Sequence, residues 1–288
     1  MYVPGHNDRL LLSASKSMAD GLFLDLEDSV KPDSNKAVAR QKIKEFVEAG
    51  KFENHYVFPR VNDRESGFLL KDLQELTIDG VDGFLYPKAL NGQDIYFFDK
   101  LLETIEVEKG FPIGTFKIMS LIETSSAVLN LQEICQASNR LIALVFGCED
   151  FISDLEGIHD REGKSIFTPR ALIALAARAN NVIPIDTVHI NVHDLADFER
   201  NLIVAKNLGF EGASILHPKE LPLAHKYFSP SKEEVDDAEE MLKLDKEAQK
   251  ENKGVAIKDG KFIGPPMVLS AKKTLSKHQL IQQKSKSE

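Results

Sequence analysis

Short runs, most of them continuously apolar, alternate along most of this chain with longer segments whose apolar positions recur at helical spacing. The runs fall at residues 2–3, 22–26, 56–61, 83–86, 116–122, 142–146, 185–190 and 212–216, and are rich in Val, Ile, Leu and Phe. Runs without polar alternation predict parallel strands covered on both faces. Between them the spacing predicts helices over 34–49, 94–109, 125–137, 169–179 and 195–208. In the first of these, Ala37, Val38, Ile43, Phe46 and Val47 share one face. Gly50, Gly110 and Gly209 stand where helix stops belong.

Eight strand candidates alternating with helices over about 220 residues predict an α/β fold, a (β/α)8 TIM barrel, in preference to an open doubly wound sheet. No GxGxxG or Walker sequence opens any helix, which argues against a nucleotide-binding sheet. The texture changes near Phe228. Ser229-Pro230-Ser231 leads into an acidic helix over 232–250, and residues 254–263 predict a β-hairpin around Lys258-Asp259-Gly260-Lys261. Gly264-Pro265-Pro266 ends the hairpin, a last helix runs to Gln283, and the tail over 284–288 is expected to fray. The expected organisation is a barrel over 1–228 followed by a helix–hairpin–helix lid or subunit contact over 229–288.

The chain has 288 residues, 42% hydrophobic and 28% charged, the balance of a globular protein with a large core. Its 45 acidic and 36 basic side chains give a net charge of -9. That argues against a nucleic-acid surface, where affinity comes from Lys and Arg facing phosphates, but leaves room for a local basic pocket. Cys135 and Cys148 sit in apolar stretches, so neither a disulfide scaffold nor a cysteine-rich zinc site is expected. No apolar run approaches the roughly 20 residues needed to span a bilayer. The N-terminus lacks the pattern of a secretory signal. The expectation is a cytoplasmic enzyme or binding protein.

In a barrel of this kind functional groups come from the carboxyl ends of the strands. Those ends carry Asp25, Glu27 and Asp28, then Arg60 and Asn62, Lys88, Glu123, Glu149 and Asp150, Asp186, and His217. Glu123 and Asp150 each follow an apolar strand. Two hard oxygen ligands on separate strands suit Mg²⁺; as helix N-caps for the elements that follow them, they would have an equally ordinary role. Arg60 is placed to hold a carboxylate bidentately or to polarise a carbonyl, and also to pair with Glu27 or Asp28. The acidic cluster 25–28 reads as a solvated face or as support for a metal. His217 is an acid–base candidate, though a lone histidine is more often a structural donor. Cys148 has no basic activator nearby and reads as packing. His159, His189, His193 and His225 show no helical metal-ligand spacing.

At these residues the sequence resembles the citrate lyase beta-subunit and malyl-CoA lyase group of the HpcH/HpaI aldolase superfamily, the CitE-like proteins. The matching stretches are Val3-Pro4-Gly5, Ala19-Asp20 running into Asp25-Leu26-Glu27-Asp28-Ser29-Val30, Arg60-Val61-Asn62, and Pro87-Lys88. They continue with Leu121-Ile122-Glu123-Thr124, Phe146-Gly147-Cys148-Glu149-Asp150-Phe151 and Ile185-Asp186-Thr187-Val188. Gly209-Phe210-Glu211-Gly212 before His217-Pro218, and Phe228-Ser229-Pro230-Ser231, complete the set. Their order and spacing cover nearly the whole chain.

The resemblance implies a (β/α)8 barrel with a C-terminal lid, assembled as a homo-oligomer, a trimer or hexamer. It implies Mg²⁺ held by Glu123 and Asp150, with Arg60 contacting the substrate carboxylate or carbonyl and Glu27 and Asp28 supporting the metal and the substrate. Glu123, Asp150 and Arg60 are thus the implied substrate-binding set, and Arg60, Asp28 and Glu27 the catalytic one. The implied chemistry is reversible carbon–carbon cleavage of a 3-hydroxyacyl thioester, such as malyl- or citramalyl-CoA, to an acyl-CoA and a 2-oxo acid. Some relatives hydrolyse the thioester instead, and others act on an acyl carrier protein as citrate lyase subunits.

The chain also departs from the family's pattern. The family hairpin ends Gly-Lys-Met-Ile/Val-Asp, and its aspartate reaches a neighbouring subunit's site as an acid or base; here Gly260-Lys261-Phe262-Ile263-Gly264 stands there. Ser125-Ser126-Ala127 replaces a stretch with a usual glycine, Ala213-Ser214 replaces a frequent Gly-Lys, and Ser13 takes a position often held by lysine near the carrier phosphates. The metal and acid-binding positions carry over; position 264 supplies no proton. Three functions are therefore weighed: the lyase, a thioester hydrolase or citrate lyase subunit, and a non-catalytic binding or assembly protein.

Overall fold

The structure is a computed structural model, and it describes residues 1–160, 162–250, 256–258 and 261–287. The chain divides into two compact units, Met1–Leu221 and Pro222–Glu288.

The first unit alternates strands and helices. In order these are β1 (Tyr2–Pro4), α1 (Asp8–Ala14), β2 (Gly21–Asp25), α2 (Asn35–Glu48), β3 (Tyr56–Val57), α3 (Leu69–Leu76), β4 (Gly83–Tyr86) and α4 (Gly92–Lys109). There follow β5 (Lys117–Ile122), α5 (Ser125–Leu129), α6 (Leu131–Gln136), β6 (Leu141–Phe146), α7 (Cys148–Asp154), α8 (Lys164–Ala179), β7 (Ile183–Asp186), α9 (Leu195–Leu208) and β8 (Gly212–Ala213).

Every strand pairing in this unit is parallel. The strands form two sheets, β1-β2-β3 and β4-β5-β6-β7-β8. Single bridges from Arg60 to Asp25 and to Leu85 join them on one side. On the other, the Tyr2 N–H donates to Ile215 O at 2.8 Å. The result is a barrel-like ring of eight strands whose sheet is interrupted at β3 and at β8.

Its interior is one apolar cluster with side chains from successive strands: Phe23, Phe58, Leu85, Leu121 and Val145, with Tyr2, Met119 and Ile185 packed against it. Alternate residues such as Leu22, Leu24, Phe84 and Leu144 are buried on the other face, so the strands need no polar positions. The expected strand at 83–86 and helix at 195–208 match the observed elements at both ends.

Other boundaries move for local reasons. The run 185–190 is strand only as far as Asp186, where the carboxylate turns to the buried Arg170 at 3.1 and 2.5 Å. The helix expected over 125–137 breaks at Asn130, whose Nδ2 donates to Leu90 O at 3.1 Å. Pro169 lies inside α8, which starts at Lys164. The run 56–61 pairs as strand only at Tyr56–Val57 and touches its neighbours again at Arg60. Gly110 and Gly209 end α4 and α9 with φ of 79° and 94°, where a side chain would be strained.

The second unit holds α10 (Leu221–Phe228, whose first residue belongs to the preceding unit), α11 (Lys232–Lys250), β9 (Ala256–Lys258), β10 (Lys261–Ile263) and α12 (Pro265–Ser287). The hairpin pairs antiparallel, with Phe262 opposite Ile257; its expected turn residues Asp259 and Gly260 lie outside the described residues. Ala248, Ile263 and Val268 form this unit's own core, with Met241, Leu242 and Leu244 packed against it. The last helix continues to Ser287, through most of the tail expected to fray. Among the described residues, no helix is long and apolar enough to cross a membrane.

Candidate active site

The carboxyl ends of β2 to β5 bring six of the sequence-derived residues, Asp25, Glu27, Asp28, Arg60, Lys88 and Glu123, into one cluster. Arg60 follows β3 and is buried. Its Nε and Nη2 donate to Asp25 Oδ1 and Oδ2 at 2.7 and 2.8 Å, a bidentate pair. Nη1 reaches Glu27 Oε2 at 2.9 Å and Asp28 Oδ2 at 3.3 Å. The Tyr2 ring lies 5.1 Å below the guanidinium and so holds it from a third side.

Asp25 is the anchor of this arrangement. Besides Arg60 it accepts from Glu27 N, Ser29 N and Ser29 Oγ at 2.9, 3.0 and 2.5 Å, which folds the 25–29 segment back on itself. Burial alone would raise its carboxyl, but the charge and hydrogen bonds of Arg60, with those of Ser29 and Glu27, outweigh it and hold it below the usual carboxylate range. Arg60 does pair with Glu27 and Asp28 as the sequence suggested, but its main partner is Asp25, which the sequence did not single out for it. Gly5 belongs to the same packing: a Cβ there would stand 2.7 Å from Asp25 O and 2.6 Å from Ile43 Cδ1.

Glu27 is buried too, and burial raises its carboxyl despite Arg60. Its Oε1 lies 3.0 Å from Lys88 Nζ. Lys88, just past β4, adopts φ 53°, a left-handed conformation rare for a residue with a Cβ. This turns its N–H onto Glu123 Oε1 at 2.7 Å while its side chain reaches Glu27 and, at 3.4 Å, Asp63. Sequence reasoning placed Lys88 at a strand end but gave it no role; neither its backbone conformation nor this bridging contact leaves a signal in residue order.

Glu123 follows β5 and is 1% exposed. Its Oε2 is buried without a hydrogen-bond partner. Burial, then the carboxylates of Glu27 and Asp150, push its pKa up to about 8 against the pull of the Lys88 N–H and of Arg60. Gly147, at the end of β6, packs flat on it: a Cβ at 147 would meet Glu123 Cβ at 2.9 Å and Oε2 at 3.1 Å. Asp150, in the first turn of α7, is exposed yet close enough to raise Glu123. Asp28 is the most open member, its side chain 51% exposed.

The two cations Arg60 and Lys88 thus stand among Asp25, Glu27, Asp28, Asp63, Glu123 and Asp150. A buried carboxylate oxygen with no donor, in an acidic all-oxygen setting, is what a hard divalent cation satisfies. The residues fit Mg²⁺ on that observation.

Other singled-out residues lie elsewhere. His217 caps a short 3-10 turn, its Nδ1 accepting from Lys219 N at 3.1 Å, so the structural reading of this histidine holds here. Asp186 is occupied by Arg170. Cys135 and Cys148 are both buried and unpaired. Cys148, Glu149 and His159 come together at the end of β6, a cluster no sequence spacing revealed because a loop separates its members.

The family model HpcH/HpaI aldolase/citrate lyase matches residues 1–218. The chain is 29% identical over 275 residues to the citrate lyase subunit beta of Leuconostoc mesenteroides subsp. cremoris, covering 96% of this chain and 91% of that protein. It is 28% identical over 281 residues to a (3S)-malyl-CoA thioesterase of Cereibacter sphaeroides, covering 98% and 94%. Among solved structures it is similar to the CitE protein of Mycobacterium tuberculosis in complex with magnesium, acetoacetate and coenzyme A, with a TM-score of 0.75, 22% identity and 96% of each chain covered.

Proposed function

The chain belongs to the HpcH/HpaI aldolase/citrate lyase family, and we propose that it is a Mg²⁺-dependent carbon–carbon lyase. Its proposed substrate is a 3-hydroxyacyl-CoA thioester such as malyl-CoA or citramalyl-CoA, cleaved to or formed from an acyl-CoA and a 2-oxo acid. The observation that carries the reading is the buried, unpartnered Oε2 of Glu123 beside a fixed guanidinium.

Glu123 and Asp150 would hold the ion. When bound, Mg²⁺ supplies Lewis acidity to the hydroxyl or keto oxygen and the carboxylate of the acid. Arg60 is locked by Asp25 on two of its nitrogens, and the contact of Nη1 to the half-exposed Asp28 is its longest, at 3.3 Å. A substrate carboxylate replaces Asp28 there and meets a charge that needs no reorientation. Glu27, buried and raised above the usual carboxylate range, is the group this chain offers to hold a proton next to that oxygen. Lys88 limits the repulsion between Glu27 and Glu123 by contacting both.

A second reading is favoured by position 264. Gly264 follows the hairpin and carries no acid, which shifts weight towards thioester hydrolysis, or towards a citrate lyase beta-subunit acting on an acyl-carrier-protein thioester. A CitE-like binding or assembly protein is the non-catalytic alternative. We further propose cytoplasmic residence, for which the two free cysteines speak. The residues after 228 serve in this reading as a lid and as contact in a homotrimer or hexamer.

Purified protein incubated with malyl-CoA and citramalyl-CoA, with Mg²⁺ or a chelator, separates these readings. Oxo acid without free thiol is the expected result and marks the lyase. Free thiol without oxo acid marks the hydrolase, and neither product from both substrates overturns both enzymatic readings.

A further inference from the structure

Beside the all-oxygen site lies a cluster of different chemistry. Glu149 Oε1 accepts from Cys148 Sγ at 3.3 Å and contacts His159 Nε2 at 3.0 Å. The three candidate ligand atoms all lie within 4.8 Å of one another. We propose that Cys148, Glu149 and His159 form a second cation site that takes a zinc-class divalent ion, separate from the Mg²⁺ site and independent of the lyase reading.

The donor set decides the class. A thiolate, an imidazole and one carboxylate are the mixed S, N and O ligands that zinc and cobalt accept and Mg²⁺ refuses. The sulfur and nitrogen already converge on a single carboxylate oxygen, at separations close to the ligand–ligand edges of a tetrahedral site. An ion placed among them replaces the thiol proton, which leaves to solvent. Three protein ligands leave a fourth position open, the arrangement of zinc sites that bind an exogenous ligand.

A second observation points the same way. The three residues line one wall of a cavity of about 210 Å³ whose other walls include Thr187, His189 and Phe198. His189 is nine-tenths buried, its Nε2 has no hydrogen-bond partner, and its Nδ1 stands 3.9 Å from Asp197 Oδ2. The cavity leaves room beside the three side chains for the fourth ligand of such an ion. Cys148 is meanwhile fixed from behind, its N–H donating to Thr187 Oγ1 at 3.2 Å. His159 comes from the exposed loop after α7, so an ion there ties that loop to the helix.

The test uses the full chain, stripped of metal and returned to excess Mg²⁺, titrated with Co²⁺ as the optical stand-in for zinc. The expected result is uptake of one cobalt per chain with a thiolate-to-cobalt absorption in the near ultraviolet, bleached by zinc. Cys148→Ser removes the absorption, and His159→Gln, at an exposed position, weakens cobalt binding by about tenfold or more. No cobalt uptake over Mg²⁺, uptake without the thiolate absorption, or full uptake in His159→Gln would each overturn the proposal.

Discussion

The N–H of Lys88 donates to Glu123 Oε1 at 2.7 Å from a backbone held at φ 53°, while the ammonium of the same residue lies 3.0 Å from Glu27. One residue thus sets the separation of two buried carboxylates, and it does so from a conformation that costs a lysine about 1–2 kcal/mol. Glycine would adopt that conformation freely and keep the N–H, but would lose the charge. We expect Lys88→Gly to unfold at a higher denaturant concentration, by about 1 kcal/mol at most, with kcat/KM reduced about tenfold. Lys88→Met should lose a similar share of activity without the gain in stability. Equal stability changes in the two variants would contradict the strain argument.

Gly147 allows β6 to approach Glu123. The Cβ of Gly147→Ala would stand 2.9 Å from the Cβ of the buried Glu123 and 3.4 Å from Leu121 Cδ1. We expect a loss of about 1–3 kcal/mol in urea unfolding and weaker Mg²⁺ binding. Wild-type values for both would show that the carboxylate moves without cost.

The raised Glu123 carboxyl makes metal-free stability depend on pH. Its folded value of about 8 lies above the ordinary 4.5, so between these the folded state holds a proton that the unfolded chain has released. Stability from this group is full below about pH 4.5 and is lost as pH rises through about 8. The difference in unfolding free energy between wild type and Glu123→Gln should therefore shift against wild type from about pH 5 to 8 in chelator. Mg²⁺ should abolish that trend by taking the proton's place. A flat difference in chelator would contradict the assigned environment of Glu123.

Gly264 lies between β10 and α12, and its carbonyl accepts from Met267 N and Val268 N at 3.0 and 3.2 Å, the position of a helix N-cap. The nearest atom to a Cβ there is Pro266 Cδ at 3.7 Å, so a side chain fits. Aspartate is favoured at an N-cap, and Gly264→Asp should fold at least as stably as wild type. If the missing hairpin acid limits lyase turnover, this variant releases oxo acid faster. A folded variant with no gain would count against that explanation.

Much of the barrel was legible because its signal is local. Continuous runs such as 83–86 and 142–146 need no partner to be read as buried strands, and Glu27 and Glu123 were visible as polar residues directly after the runs 22–26 and 116–122, with Arg60 near the end of 56–61. What stayed hidden depends on three-dimensional neighbours. Asp25 was read within an ambiguous acidic run, and only its hydrogen bonds distinguish the residue that anchors Arg60 from the exposed Asp28. The break at Asn130 depends on the carbonyl of Leu90, and the end of β7 on Arg170. The grouping of Cys148 with His159 depends on the path of the loop between them.

The central claim is that oxygens of Glu123 and Asp150 grip a magnesium ion at the carboxyl ends of the strands. Titration calorimetry of Mg²⁺ into metal-free wild type and Glu123→Gln, each with oxaloacetate or glyoxylate present, tests it most directly. The account predicts one ion per wild-type chain and none detectable in the variant. Absence of magnesium heat with fully folded wild type, or equal binding by the variant, would contradict it.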